Sequence, residues 1–84
     1  MDPTILTLLA GGVAGELFKR VANSKLIRFG DLIRQTNVNR ADAKEALAAL
    51  KAKNLVHEAP SAIEDFSTFY VTADGLETKR RTGI

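Results

Sequence analysis

Apolar positions near the N-terminus recur at the spacing of an α-helix. They form one stripe made of Leu6, Leu9, Val13, Leu17 and Val21. Asp2 followed by Pro3 is typical of a helix start, because the carboxylate can cap the first turn and proline is tolerated where no amide partner exists. We therefore predict a helix that runs from Pro3 to about Ala22 and ends before Asn23.

Two glycines interrupt a second face of this helix, which contains Leu8, Gly11, Gly15 and Phe18. Glycines four residues apart let another helix approach closely, so these four residues are a candidate dimer interface. Alternatively, Gly11 and Gly12 mark a break or kink, since two adjacent glycines cost a helix about 2 kcal/mol in propensity, or this face makes an additional contact with the core. The sequence leaves these interpretations open.

The centre of the chain predicts two helices joined by a tight turn, which together make a helix-turn-helix unit. A short helix contains Leu32 and Ile33, and Asn39 then caps a longer helix at about residues 40–53. We expect this helix to end near Asn54, which can adopt the left-handed C-cap conformation. Asn39 is a good cap because its side-chain oxygen can accept hydrogen bonds from the free amides of the first turn. We predict that four residues on one face of the longer helix are buried: Ala43, Ala46, Leu47 and Leu50.

Segments rich in β-branched and aromatic residues predict strands on both sides of these helices. Lys25 to Phe29 predicts a short strand, and residues 55–59 with residues 66–72 predict a hairpin whose loop would form a wing. After the hairpin, Thr72 can cap a short terminal helix that carries Leu76 back towards the core.

Two of these stretches resemble the winged helix-turn-helix domain of small MarR-like and PadR-like bacterial transcriptional regulators. They are FGDLIRQTNVNRADAKEALAALKAKNLV at residues 29–56 and FYVTADGLETKRR at residues 69–81. The resemblance implies an α+β fold over residues 1–84 as a single domain, with a three-helix core, a small antiparallel β-hairpin wing and a short C-terminal helix. It also implies binding to double-stranded DNA, often as a homodimer, with the second helix of the unit in the major groove.

The candidate DNA contacts are polar side chains of the two central helices. Arg40, Lys44 and Lys51 gather on one flank of the predicted recognition helix, and Arg34 and Gln35 lie on the helix before it. Arg40 is best placed to reach a base edge, because it lies near the start of the helix. The full set of predicted DNA-binding residues is Arg34, Gln35, Asn39, Arg40, Lys44 and Lys51.

The charge pattern supports an alternative to DNA binding. The formal net charge is only +2, and the predicted wing, Glu58 to Ser67, contains three acidic residues and no lysine or arginine. A wing that lies on phosphates is expected to be positively charged. The outward face of the recognition helix consists of Ala41, Glu45, Ala48 and Ala52. A winged helix that binds another protein, or that dimerises without binding DNA, is therefore the second interpretation.

Composition argues against several other classes of function. The chain has no cysteine and one histidine, so we predict no disulfide, no metal site and no cofactor. The sequence has no spacing typical of a catalytic triad and no phosphate-binding glycine loop, so we do not expect an enzyme. The apolar run from Ile5 to Leu9 is too short to cross a membrane and lacks a basic signal-peptide start, and we expect a soluble cytoplasmic protein.

Overall fold

The computed structural model describes residues 3–83, which form helices and a small antiparallel sheet. In chain order the elements are α1 (Pro3–Ala10), α2 (Val13–Ala22), β1 (Ile27–Arg28), α3 (Phe29–Thr36), α4 (Arg40–Ala52), β2 (Val56–Ala59), β3 (Thr68–Val71) and α5 (Ala73–Thr82). Strand β3 lies in the middle of the sheet, with Ile27 of β1 opposite Phe69 and Val56 of β2 opposite Val71. Asp2, the predicted cap of the first helix, lies outside the described residues.

The first predicted helix is divided at Gly11 and Gly12. Gly12 has a φ of +77°, a conformation that side chains with a Cβ rarely adopt, and α2 begins at the next residue. A continuous helix from Pro3 to Ala22 is therefore wrong, and the alternative interpretation, a break at the glycines, is confirmed.

The strands are shorter than predicted because the wing contains an additional turn. Residues Glu64–Phe66 form a single 3-10 turn, so β3 begins only at Thr68. Pairing with β1 then ends at Arg28, and Phe29 becomes the first residue of α3 instead of the last residue of a strand. The Phe29 backbone N–H still donates to the Ser67 carbonyl at 2.8 Å, which joins the start of α3 to the end of the wing.

The predicted caps of the longer central helix are confirmed. Asn39 Oδ1 accepts from the backbone N–H of Ala41 at 2.8 Å and of Asp42 at 3.3 Å, which satisfies two amides of the first turn. Beyond the other end, Asn54 has a φ of 58° in the left-handed region and turns the chain towards β2. The boundaries of α4 therefore follow from local sequence.

The core lies around α2, which contacts α1, α3, α4, β3 and α5. Its residues Leu17, Phe18 and Val21 are completely buried. The four residues of α4 that were predicted to face inward are all buried, as is Leu32, while Ile33 and Val71 are partly buried against the same cluster. The predicted helical phase of α4 is therefore correct.

The prediction for Leu76 is wrong, because this side chain is 49% exposed. Thr72 does cap α5, since its Oγ1 accepts from the Gly75 N–H at 2.9 Å. The inward positions of α5 are Gly75 and Thr78. Gly75 lies so close to the Leu55 carbonyl that a larger residue would not fit there, and Leu76 is consequently turned outward.

Helices α2, α3 and α4, the three-stranded sheet and the loop between β2 and β3 together make a winged helix-turn-helix. The predicted fold class is therefore confirmed: the fold is α+β, with a hairpin wing and a short C-terminal helix. No helix within residues 3–83 is long and apolar enough to cross a membrane. Over the same residues, no group of three or more histidine, cysteine or acidic side chains is arranged to hold a metal ion.

Candidate nucleic-acid interface

The helix-turn-helix places three long cationic side chains along one flank of α4. Burial of Ala43, Ala46, Leu47 and Leu50 fixes the rotation of α4 about its axis. Arg40, Lys44 and Lys51 consequently extend from the protein surface towards the wing, and their side chains are 48%, 61% and 41% exposed.

Each of these cations forms an ion pair with a carboxylate of the wing. Arg40 Nη2 donates to Asp65 Oδ1 at 2.5 Å, and Arg40 Nη1 donates to Glu64 Oε2 at 3.4 Å. Lys44 Nζ lies 2.6 Å from Glu64 Oε1. Further along α4, Lys51 Nζ donates to Glu58 Oε1 at 2.5 Å. We call these six residues the α4–wing ion pairs; they place three carboxylates against three cations.

Arg40 has the most contacts of the three cations. Its guanidinium carbon lies 5.4 Å from the centre of the Phe29 ring, at a distance suited to a cation–π interaction. The hydrogen bond to Asp65, reinforced by the negative charges of Asp65 and Glu64, raises the pKa of Arg40 above its ordinary value. Arg40 is therefore held both by an aromatic ring of α3 and by two carboxylates of the wing.

A crevice of about 150 Å³ separates the middle of α4 from the wing. Phe29, Leu47 and Phe69 provide its apolar surface, and the pairs Lys44–Glu64 and Lys51–Glu58 border it. Around this crevice, α4 is therefore joined to the wing by ion pairs between side chains, and not by a continuous apolar interface.

The remaining predicted DNA contacts lie on the same helix-turn-helix. Arg34 pairs with Asp31 within α3, and its side chain is 74% exposed. Gln35 is exposed on the same helix. The side-chain oxygen of Asn39 is occupied as the cap of α4. The structure thus brings Arg40, Lys44 and Lys51 together at the wing, whereas Arg34 and Gln35 lie on α3.

The four residues of the candidate dimer interface do not form one exposed surface. Phe18 is completely buried in the core, so its assignment to a surface that meets a second copy is wrong. Gly15 packs against the carbonyl of Leu9 in the same chain, and a Cβ at this position would overlap that oxygen. Leu8 is partly buried and Gly11 is exposed. The spacing of the glycines predicted that another helix would approach closely. In the structure, the close contact is between α1 and α2 of the same chain.

The outward face of α4 is small and weakly acidic, as the sequence predicted. Ala41, Glu45, Ala48 and Ala52 are all exposed on it. Next to this face, a shallow groove between α1 and α4 is lined by Leu8, Val13 and Ala46, with Asp42 and Glu45 at its edge. The long donors of α4 therefore lie on its wing-facing flank.

A second group of cations lies where α2 and α5 end, and we call it the α2–α5 basic end: Lys19, Arg20, Lys79, Arg80 and Arg81. Lys79 Nζ donates to Asn23 Oδ1 at 2.6 Å, which joins the last turn of α5 to the end of α2. Lys19 and Gly83 border one hollow. Cations at helix C-termini favour the negative end of the helix dipole.

Sequence reasoning found the cations of α4 but missed the wing carboxylates as their partners. The sequence did contain a signal for this pairing, because the segment with three acidic residues follows a helix with three cations on one flank. A wing loop folds back beside the recognition helix, so the two opposite charges could have been expected to meet.

Comparison with known proteins identifies the fold. No family model matches the sequence, and no curated protein matches it. Among solved structures, the chain is similar to a transcriptional regulator of the MarR family from Silicibacter pomeroyi, with a TM-score of 0.73 and 22% sequence identity. The similarity covers 90% of this chain and 52% of the regulator, so the chain spans about half of that protein's length. The chain therefore has the winged-helix fold seen in this MarR-family regulator.

Proposed function

We propose that the chain binds double-stranded DNA with α4 as the recognition helix and acts as part of a transcriptional regulator. The observation that carries this proposal is the alignment of Arg40, Lys44 and Lys51 on one exposed flank of α4 within a helix-turn-helix. The fold of a MarR-family regulator supports it. In this class of fold the second helix of the unit enters the major groove.

The proposal gives each side chain a role. Arg40, in the first turn of α4, would reach a base edge, because recognition helices contact bases mainly near their N-termini. Lys44 and Lys51 would bind phosphates, to which an ammonium donates without regard to sequence. Arg34 and Gln35, which lie on α3, would contact the neighbouring sugar-phosphate backbone of the DNA. Two copies in a homodimer would address half-sites about one DNA turn apart.

A titration of fluorescently labelled duplex DNA at two salt concentrations tests this proposal. We expect Lys44→Gln to weaken binding to all sequences alike and to lower the slope of log affinity against log salt by about one, as loss of one phosphate contact does. Lys19→Gln, which removes the same charge from the α2–α5 basic end, is the matched control and should leave both values almost unchanged. If the unmodified chain does not bind duplex at low salt, the proposal is wrong.

The second candidate function is binding of another protein, and the α4–wing ion pairs favour it. They already pair the three cations, and the exposed alanines of α4 offer a surface of small apolar side chains that a partner protein can contact closely. The variant Ala48→Arg separates the two functions. Loss of a purified partner's binding, together with absence of duplex binding at low salt, would favour the protein-binding function.

A further inference from the structure

The acidic wing occupies the donors that DNA would need. We propose that Glu64 and Asp65, with a smaller contribution from Glu58, compete intramolecularly with DNA for the cations of α4 and thereby set the affinity and salt dependence of DNA binding. This inference rests on the proposed function. It assigns to the wing carboxylates a regulatory role opposite to that of a basic wing, which would add phosphate contacts.

The geometry of the pairs supports direct competition. A guanidinium donates through a planar fork that suits carboxylates and phosphates alike. In Arg40 both terminal nitrogens are directed at the wing, one towards Asp65 at 2.5 Å and the other towards Glu64 at 3.4 Å. The second carboxylate oxygen of Glu64 lies 2.6 Å from Lys44 Nζ. A base edge that bound Arg40, or a phosphate that bound Lys44, would therefore have to displace a carboxylate oxygen.

The displacement requires movement of side chains only. Glu64 and Asp65 are 45% and 44% exposed, and exposed ion pairs are weak because water screens them. The backbone of the wing is held separately, since Ser67 O accepts from Phe29 N at 2.8 Å and Ser67 Oγ accepts from Ser61 N at 3.1 Å. The carboxylates can therefore turn away from α4 while the loop stays in place.

Competition has two effects on binding. Each phosphate contact must replace an internal ion pair, and the released carboxylates then lie beside the phosphates and repel them. The chain consequently neutralises fewer phosphates than its three α4 cations could neutralise without the wing. DNA affinity therefore falls less steeply as the salt concentration rises. DNA affinity is therefore held below the level that Arg40, Lys44 and Lys51 would otherwise support.

The double variant Glu64→Gln/Asp65→Asn tests the inference in the full chain, with the labelled duplex as probe. We expect affinity at low salt to rise about tenfold, because three exposed ion pairs no longer need to be broken. The salt slope should become steeper by between one and two. Glu58→Gln, which releases only Lys51, should raise affinity about twofold and provides an independent variant if the double variant does not fold.

The matched control is Glu16→Gln/Glu77→Gln, which raises the net charge by the same amount away from the wing. Glu77 pairs with Arg80 and Arg81, so this control releases cations at the α2–α5 basic end. We expect less than a twofold change for the control. If the wing variants bind duplex no more tightly than the unmodified chain, or no more tightly than the control, competition by the wing is overturned while DNA binding stands. If no variant binds duplex at all, the proposed function is overturned, and the inference with it.

Discussion

At the scale of single residues, Gly15 sets the distance between α1 and α2. The last turn of α1 lies against it, and a Cβ on Gly15 would overlap the carbonyl oxygen of Leu9. Gly11, in the bend between the two helices, has more room, because a Cβ there would lie 3.4 Å from the Leu8 carbonyl oxygen. The two glycines therefore have different roles, although their spacing in the sequence suggested a shared one.

This difference predicts the effect of adding one methyl group. Gly15→Ala should lower the free energy of unfolding by about 1 to 3 kcal/mol, as overpacking of a tight contact usually does. Gly11→Ala is the matched control and should change it by less than about 0.5 kcal/mol, because the added methyl group is accommodated. Denaturant unfolding measures both values. Equal stabilities of the two variants would show that α1 does not pack on Gly15.

Single-residue burial could be predicted from sequence only where a periodic pattern defines a face. Leu47 and Leu50 were placed correctly because they repeat at helical spacing beside Ala43 and Ala46. Leu76 and Phe18 were not, since periodicity does not reveal which neighbour covers a face. Phe18 is buried because α2 is surrounded by other elements, and Leu76 is exposed because Gly75 takes the inward position.

Among the helices and strands, α4 is the element whose boundaries and buried face are marked most clearly in the sequence. Its start and end are marked by Asn39 and Asn54, and its inward face by regularly spaced apolar residues. These signals are local, so sequence alone predicted this helix well. The wing was harder to predict, because the turn at Glu64–Phe66 shortens β3 and brings its carboxylates to α4. The charge pattern places opposite charges on the two segments, but which side chains pair depends on tertiary contacts that helical or strand periodicity does not predict.

The cap of α4 provides a prediction for this element. Asn39→Ala should lower the free energy of unfolding by about 1 kcal/mol, because two amides of the first turn lose their acceptor. Asn39→Asp is the control and should keep most of the stability, since a carboxylate accepts the same hydrogen bonds and favours the positive end of the helix. Thermal unfolding followed by circular dichroism gives both values. Full stability of the alanine variant would exclude a role for the cap.

At the scale of the whole molecule, the net charge of +2 conceals an uneven distribution. The cations of α4 are balanced by three wing carboxylates. The α2–α5 basic end contains five cations, of which Arg80 and Arg81 share the carboxylate of Glu77. An anionic partner could therefore be attracted to either region, and the total charge alone does not indicate which one it contacts.

A titration of ¹⁵N-labelled protein with unlabelled duplex, followed by amide chemical shifts, tests directly whether DNA binds the chain at α4 and the wing. We predict shift changes concentrated at residues 39–51 and 58–66, with little change at the α2–α5 basic end. The double variant Glu64→Gln/Asp65→Asn should show the same pattern at lower DNA concentrations. Shift changes confined to residues 19–25 and 79–83 would exclude binding at α4 and the wing, because they would place DNA on the α2–α5 basic end.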